Sequence, residues 1–254
     1  MFPQVVERPL CFGLTAAETV HEDIYADRVR KPVGTFEEFN FALIDGFFRG
    51  HFYTCLPFET RFSTDLDLVI APEDYDDVVG FLEARGFERQ TGPWVPPEET
   101  IHEREIELFE RTDGLSHPVG VDILVNGLGC RQTEAEWSFD YLRKHSSPTP
   151  ISGGTRTTTA RAADGELLVA AKLHSGRKTD LADVLAAIPS IDLDGVETHL
   201  HRGDAAALRE QLSDAEKFIE AGGLDHRFKS IFGRSSANAT DIETLIEFLR
   251  QQQK

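Results

Sequence analysis

A single carboxylate interrupts an otherwise apolar run. Residues 119–125 read Val-Gly-Val-Asp-Ile-Leu-Val. An apolar, β-branched stretch of that length suits a strand at the centre of a sheet, buried on both faces. A charge inside such a strand, here Asp122, costs several kcal/mol unless something neutralises it. An arginine, solvent at a strand end, or a divalent cation shared with other acids would each serve.

A second acid-bearing segment lies upstream. Residues 63–70, Ser-Thr-Asp-Leu-Asp-Leu-Val-Ile, alternate polar and apolar and predict a strand. Asp65 and Asp67 are two apart, so both belong to one face, while Leu66 and Leu68 belong to the other. Side-by-side carboxylates repel unless a cation or a proton sits between them. In a chain this rich in acids the pair alone discriminates little, and a solvated edge strand explains it equally well. Asp122 changes the balance. Three carboxylates from two neighbouring strands suit Mg²⁺, a hard cation that takes a few protein oxygens plus phosphate oxygens. Two such ions can activate a hydroxyl and stabilise leaving pyrophosphate.

The remaining pattern places these strands in a mixed order. Residues 15–30 open with a Thr15–Glu18 capping box and predict a helix. A second box, Thr35–Glu38, leads into residues 39–44, which read as a strand or, on pattern alone, a helix. Asp45-Gly46 signals a turn before a short helix. Pro72 and the acids after it suit a helix N-terminus, with the helix ending at Gly86. Residues 91–99 read as a loop and 104–111 as a strand, while 133–145 predict a helix. The segment 146–154, Ser-Ser-Pro-Thr-Pro-Ile-Ser-Gly-Gly, is the expected boundary. A strand over 155–161 and helices over 165–176, 178–188, 204–221 and 240–252 follow, the last with a Thr240–Glu243 box. The fold class expected is α+β, a mixed sheet with flanking helices and a helical C-terminal part.

Composition sets outer bounds. The 254 residues are 40% hydrophobic and 9% aromatic, enough for a real core, and no apolar run reaches membrane-spanning length. The first twenty residues lack a signal-peptide pattern, so a cytoplasmic location is expected. Cys11, Cys55 and Cys130 have no metal-ligand spacing and read as small buried hydrophobes. The net charge of −18, with few lysines, resembles proteins of salty cytoplasm, although an ordinary acidic protein has the same composition. Such a field repels nucleic acid at low salt. The aromatic run Phe36, Phe39, Phe41, Phe47, Phe48 and Phe52 reads as core, as do Trp94 and Trp137.

Two stretches carry a family resemblance. Leu43-Ile-Asp-Gly-Phe-Phe-Arg-Gly-His51 followed by Arg61-Phe-Ser-Thr-Asp-Leu-Asp-Leu68 resembles the opening motif of DNA-polymerase-β-like nucleotidyltransferases, in particular the AbiEii toxin and minimal nucleotidyltransferase type. Asp122 in Val-Asp-Ile is similar to that family's third carboxylate strand. Residues 167–183 resemble its helical motif, with Lys172, Arg177, Asp180 and Asp183 at matching places. On an unbroken helix, positions 172, 176, 180 and 183 would share a face, and Gly176 is where it would break. One departure is Asp45-Gly46, where the family has Gly-Gly or Gly-Ser beside the triphosphate.

The resemblance implies an N-terminal helical arm over 1–33, a nucleotidyltransferase core over 34–150 and a mostly helical part over 151–254 that completes the site. It implies catalytic and metal-holding roles for Asp65, Asp67 and Asp122, and nucleotide binding by Gly46, Arg61, Thr64, Lys172, Arg177 and Asp180. The cofactor implied is Mg²⁺. The substrates are an NTP and an acceptor that is a tRNA, a protein or a small molecule, and the partner is a cognate antitoxin, with no membrane involved. Two other readings stay open. A non-catalytic relative, regulatory or part of a toxin–antitoxin pair, fits Asp45. A metal-dependent phosphohydrolase would draw on His174, His199 and His201, which have no ligand spacing and read as surface histidines.

Overall fold

The two acid-bearing segments become strands, and they lie side by side. The protein is represented by a computed structural model that describes residues 42–43, 65–83, 87–89, 106–111, 119–153, 156–232 and 237–254. Strands β1 (Ala42–Leu43), β2 (Asp65–Ile70), β3 (Glu88–Arg89), β4 (Ile106–Arg111) and β5 (Val119–Val125) are joined by β8 (Ser146–Gly153) and β9 (Arg156–Ala163). Among the described residues these seven make one sheet, ordered β3-β4-β5-β2-β1-β9-β8. β2 runs parallel to β5 and β1 parallel to β9, and the other neighbours are antiparallel. Strands β6 (Gly127–Cys130) and β7 (Ala135–Ser138) form a separate hairpin. The sheet is mixed and helices follow it, which is the α+β class expected.

Alternation along the strands builds the first core. Leu68, Ile70, Val121 and Ile123 are buried on one face of β2 and β5. Helix α1 (Tyr75–Glu83), entered through a 3₁₀ turn at Pro72–Asp74, adds Val78 and Leu82 to the same cluster. Each fully buried aliphatic side chain of this kind contributes about 1.5–3 kcal/mol. Helix α2 (Phe139–Lys144) adds Phe139 and Leu142.

The chain then turns helical. Helix α3 (Gly165–Ser175) ends at Gly176, whose φ of 60° is the left-handed stop that glycine allows. Helix α4 (Lys178–Ala187) is buried from Asp180 onward, as expected of a helix at the middle of a bundle. Around it lie α5 (Leu193–Leu200), α6 (Ala205–Glu220), α7 (Gly223–Phe232) and α8 (Ala239–Gln252). Helix α3 joins the two parts. Leu167 and Leu168 pack in the cluster of the sheet, and Val169, Ala170 and Leu173 pack in the cluster of the helices. Among the described residues, no helix is long and apolar enough to cross a membrane.

Several expectations need correction. Residues 133–145 are not one helix. Glu134 has φ 55°, outside the right-handed region, and Ala135 and Trp137 are both buried in a two-residue rhythm, so β7 forms first. The helix waits for Ser138, whose hydroxyl caps it by accepting from Tyr141 N at 3.3 Å. The segment expected to mark the boundary, 146–154, is a strand over Ser146–Gly153. It is β8, the last strand in the sheet order, where Pro148 and Pro150 are tolerated because an outer strand needs fewer ladder N–H groups. The expected junction at residue 150 falls inside this strand, and the helical part begins only at Gly165. The last helix is capped by Asn238 rather than by Thr240. Helices α5 and α7 lie where none was expected. The expected helices over 15–30 and after Asp45-Gly46, the boxed turn at Thr35 and the loop 91–99 lie outside the described residues.

One glycine holds the hairpin against the helices. Gly203 has φ +67°, and a Cβ there would collide with the Thr133 carbonyl and the Glu134–Ala135 peptide. Gly222 has a similar φ of +75° with nothing within 4 Å of a Cβ. Gly222→Ala is therefore expected to cost about 1–2 kcal/mol, the left-handed penalty alone. Gly203→Ala is expected to cost at least about 2 kcal/mol more, because backbone must shift. Urea unfolding of both variants measures the difference, and equal losses would contradict the contact.

Candidate functional site

Register decides where the carboxylates meet. β2 and β5 pair in parallel with Asp67 opposite Asp122. Register neighbours on adjacent strands share a face, with backbones about 4.8 Å apart. Asp67 and Asp122 are both half-buried. Farther along the same face Val69 and Leu124 are buried, so an apolar floor follows the acids. The opposite face carries Leu68, Val121 and Ile123, all buried. Asp122 thus sits in its apolar strand without entering the core below.

Asp65 occupies the first position of β2, and strand alternation assigns that position to the same face as 67. Its register neighbour is Gly120, a residue that brings no side chain alongside. The backbone of Asp65 is described and its side chain is not. Among the described residues, no group of three His, Cys, Asp or Glu suited to a metal ion is found. The described pair is Asp67 and Asp122, and each also interacts with other groups. Two ionised carboxylates about 5 Å apart near a protein surface repel by about 3 kcal/mol. A divalent cation between them reverses that sign, and oxygen donors on a rigid sheet are the set that magnesium takes. The two described carboxylates are donors of the kind that ion takes.

The helical motif assembles a second charged cluster. Gly176 does break the helix, so Lys172 on α3 and Asp180 and Asp183 on α4 come together across a turn. Lys172 Nζ donates to Asp180 Oδ1 and to Asp183 Oδ2, both at 3.0 Å. Asp180 is 0% exposed, Asp183 1% and Lys172 12%. The Asp180 Oδ2 atom also accepts from Ser175 Oγ and from Arg177 Nε, each at 2.5 Å. Among the described residues the cluster brings two positive groups to two negative ones, and each of the four also interacts with other groups. Lys172 is therefore not at a solvated helix end. Arg177 is 62% exposed. Gly46, Arg61 and Thr64, expected to bind nucleotide, lie outside the described residues, as do Asp45 and His51.

Two histidines expected at the surface are interior. His174 is fully buried, with Nε2 2.6 Å from the Leu200 carbonyl and Nδ1 2.6 Å from Thr133 Oγ1. A carbonyl only accepts, so Nε2 carries the proton and the Thr133 hydroxyl donates to Nδ1 of the neutral ring. His199 is buried with Nδ1 2.7 Å from the Tyr141 hydroxyl. Burial lowers the pKa of both below the usual 6.5. For His174 the Leu200 carbonyl opposes this, and the positive charge of His201 and Arg202 adds to it. For His199, His145 and Arg202 add to the lowering, while Asp164 and Glu166 oppose it. A signal was present in the sequence. Leu167, Ala170 and His174 recur at helical spacing on one face, as do Val196, His199 and Leu200.

No protein-family model matches the chain, and no curated protein matches it. Two solved structures from Helicobacter pylori are similar to it. The protein JHP933 has a TM-score of 0.50 at 12% identity, over 97% of this chain and 94% of its own. A second protein, provisionally named a nucleotidyltransferase, has a TM-score of 0.49 at 13% identity, over 96% of each chain. The likeness to JHP933 is one of fold, and it runs along nearly the whole of both chains.

Proposed function

We propose that this chain is a nucleotidyltransferase, moving a nucleoside monophosphate from an NTP to an acceptor hydroxyl. The observation that carries the reading is the in-register pairing of Asp67 with Asp122 on adjacent parallel strands. It joins two motifs, Arg61 to Asp67 and Val-Asp-Ile, that resemble one family's carboxylate strands. Those motifs favour the AbiEii and minimal nucleotidyltransferase type, with a cognate antitoxin as partner. Magnesium held by Asp65, Asp67 and Asp122 would supply charge neutralisation at the phosphates and a more acidic acceptor hydroxyl.

The chain's own groups divide the remaining work. Asp122 takes the proton of the acceptor hydroxyl as its oxygen bonds to the α-phosphorus and pyrophosphate departs. Arg177, more than half exposed, is the cation that meets the phosphates. Asp180 orients Arg177 through its Nε, and Lys172 keeps the two buried carboxylates neutralised.

Asp67→Asn and Asp122→Asn are each expected to lower label transfer from radioactive NTP at least about a hundredfold. The fold, read by circular dichroism, should persist. Undiminished transfer by either variant would overturn the mechanism. The two basic residues should separate. Lys172→Met strands buried carboxylates and is expected to cost about 3 kcal/mol of stability by chemical denaturation. Arg177→Ala removes one of several partners of the buried Asp180 and should cost less stability than Lys172→Met while raising the KM for NTP. The reverse pattern would contradict these roles.

A further inference from the structure

The hairpin and the helical bundle meet along a seam stitched by histidines. On one side are Thr133, Glu136 and Tyr141, from the β6–β7 turn, β7 and α2. On the other are His174 on α3, and His199, Leu200, Arg202, Gly203 and Asp204 at the end of α5 and beyond. His174 bridges Thr133 to the Leu200 carbonyl, and His199 holds the Tyr141 hydroxyl. Asp204 N donates to the Thr133 carbonyl at 2.7 Å, and Arg202 Nη1 donates to the Glu136 carbonyl at 3.2 Å. The Arg202 guanidinium lies 3.9 Å from the Tyr141 ring centroid, and His145 meets His199 edge to face at 4.7 Å.

We propose that this seam is a proton-sensitive joint: protonation of His174 and His199 loosens the helical part from the hairpin and with it releases the last turn of α3. Three facts support it. First, a protonated His174 keeps its hydrogen bonds, because the Thr133 hydroxyl can rotate to accept. The cost is placing a charge in a fully buried site near His201 and Arg202. Second, protonating His199 sets it against His145 and Arg202, with Asp164 and Glu166 only partly offsetting them. Third, the last turn of α3 borders the same seam on one side and the helical part on the other. The His174 carbonyl accepts from Cys130 Sγ of β6 at 2.9 Å and from Gln211 Nε2 of α6. That turn carries Lys172 and Ser175 and leads to Arg177. The consequence for nucleotide binding rests on the reading above, while the joint itself does not.

The sign follows from the direction of both shifts. The folded protein keeps these rings neutral, and the unfolded chain takes up protons below about pH 6.5. The stabilisation is therefore complete above that pH and is lost as pH falls below it.

Trp137 reports on His174 directly, because their rings meet edge to face at 5.2 Å and an imidazolium quenches indole emission. In full-length Trp94→Phe protein, emission is expected to fall below about pH 6.5, together with faster proteolysis in the 200–204 loop. The emission change should vanish when His174→Gln is added, and the proteolysis should fall to what His199 alone contributes. Emission flat down to about pH 5, or the same acid response in His174→Gln, would overturn the proposal. Should His174→Gln not fold, the nitrogen chemical shifts of His174 in the unaltered chain decide. A ring that titrates at or above pH 6.5 refutes the joint, and one that titrates below it together with the proteolysis supports it. A seam that responds to acid in a protein that binds no Mg·NTP leaves this inference standing and removes the enzyme.

Discussion

The parallel register between β2 and β5 governs everything said about chemistry in this fold. A slip of one residue would carry Asp122 to the face of Val121 and Ile123, into a packed core, and leave Asp67 beside an aliphatic residue. The register is held by that same core. Leu68 and Ile70 of β2 are buried on one face with Val121 and Ile123 of β5, and a slip would turn one strand's pair away from the packing it makes here. Apolar burial thus aligns the acids, and the acids need no contact between themselves to be aligned. Such an arrangement lets a sheet place like charges side by side and remain stable, because the repulsion of a few kcal/mol is small against the burial that opposes a slip.

The helical part solves a different charge problem. Asp180 and Asp183 lie in the most buried helix of the bundle, where unneutralised carboxylates would be strongly destabilising. Lys172 reaches both from the preceding helix because Gly176 turns the chain back. The result ties α3 to α4, and α3 also packs on the sheet through Leu167 and Leu168. Positions on the sheet and positions on the bundle are thereby coupled through one eleven-residue helix.

What could be read in advance follows from the range of each interaction. Alternation over 63–70 and the apolar run over 119–125 are local, so both acid strands were legible before any fold, whereas the face that Asp122 shares with Asp67 is set by the β2–β5 register. Lys172 and Arg177 were legible as motif members, but their partners were not, since ion pairing across the Gly176 turn depends on how two helices close. Residues 133–145 misled because Ala, Glu, Leu, Arg and Lys favour helix locally, whereas Trp137 is committed to the core through pairing with Leu128 in β6. Proline and glycine in 146–154 pointed to a boundary, yet an outer strand accommodates the prolines. His174 and His199 carry a polar ring at positions whose helical periodicity is that of the core. Carbonyl and hydroxyl partners from distant segments make their burial tolerable, and such partners are invisible along the chain.

The central claim is that Asp67 and Asp122 act together as ligands of one divalent cation. Manganese in place of magnesium, followed by electron paramagnetic resonance in the presence of NTP and high salt to screen the acidic surface, tests it most directly. The account predicts a bound Mn²⁺ signal in the unaltered chain that is lost in Asp67→Ala/Asp122→Ala. A double variant that binds manganese as tightly as the parent would contradict it.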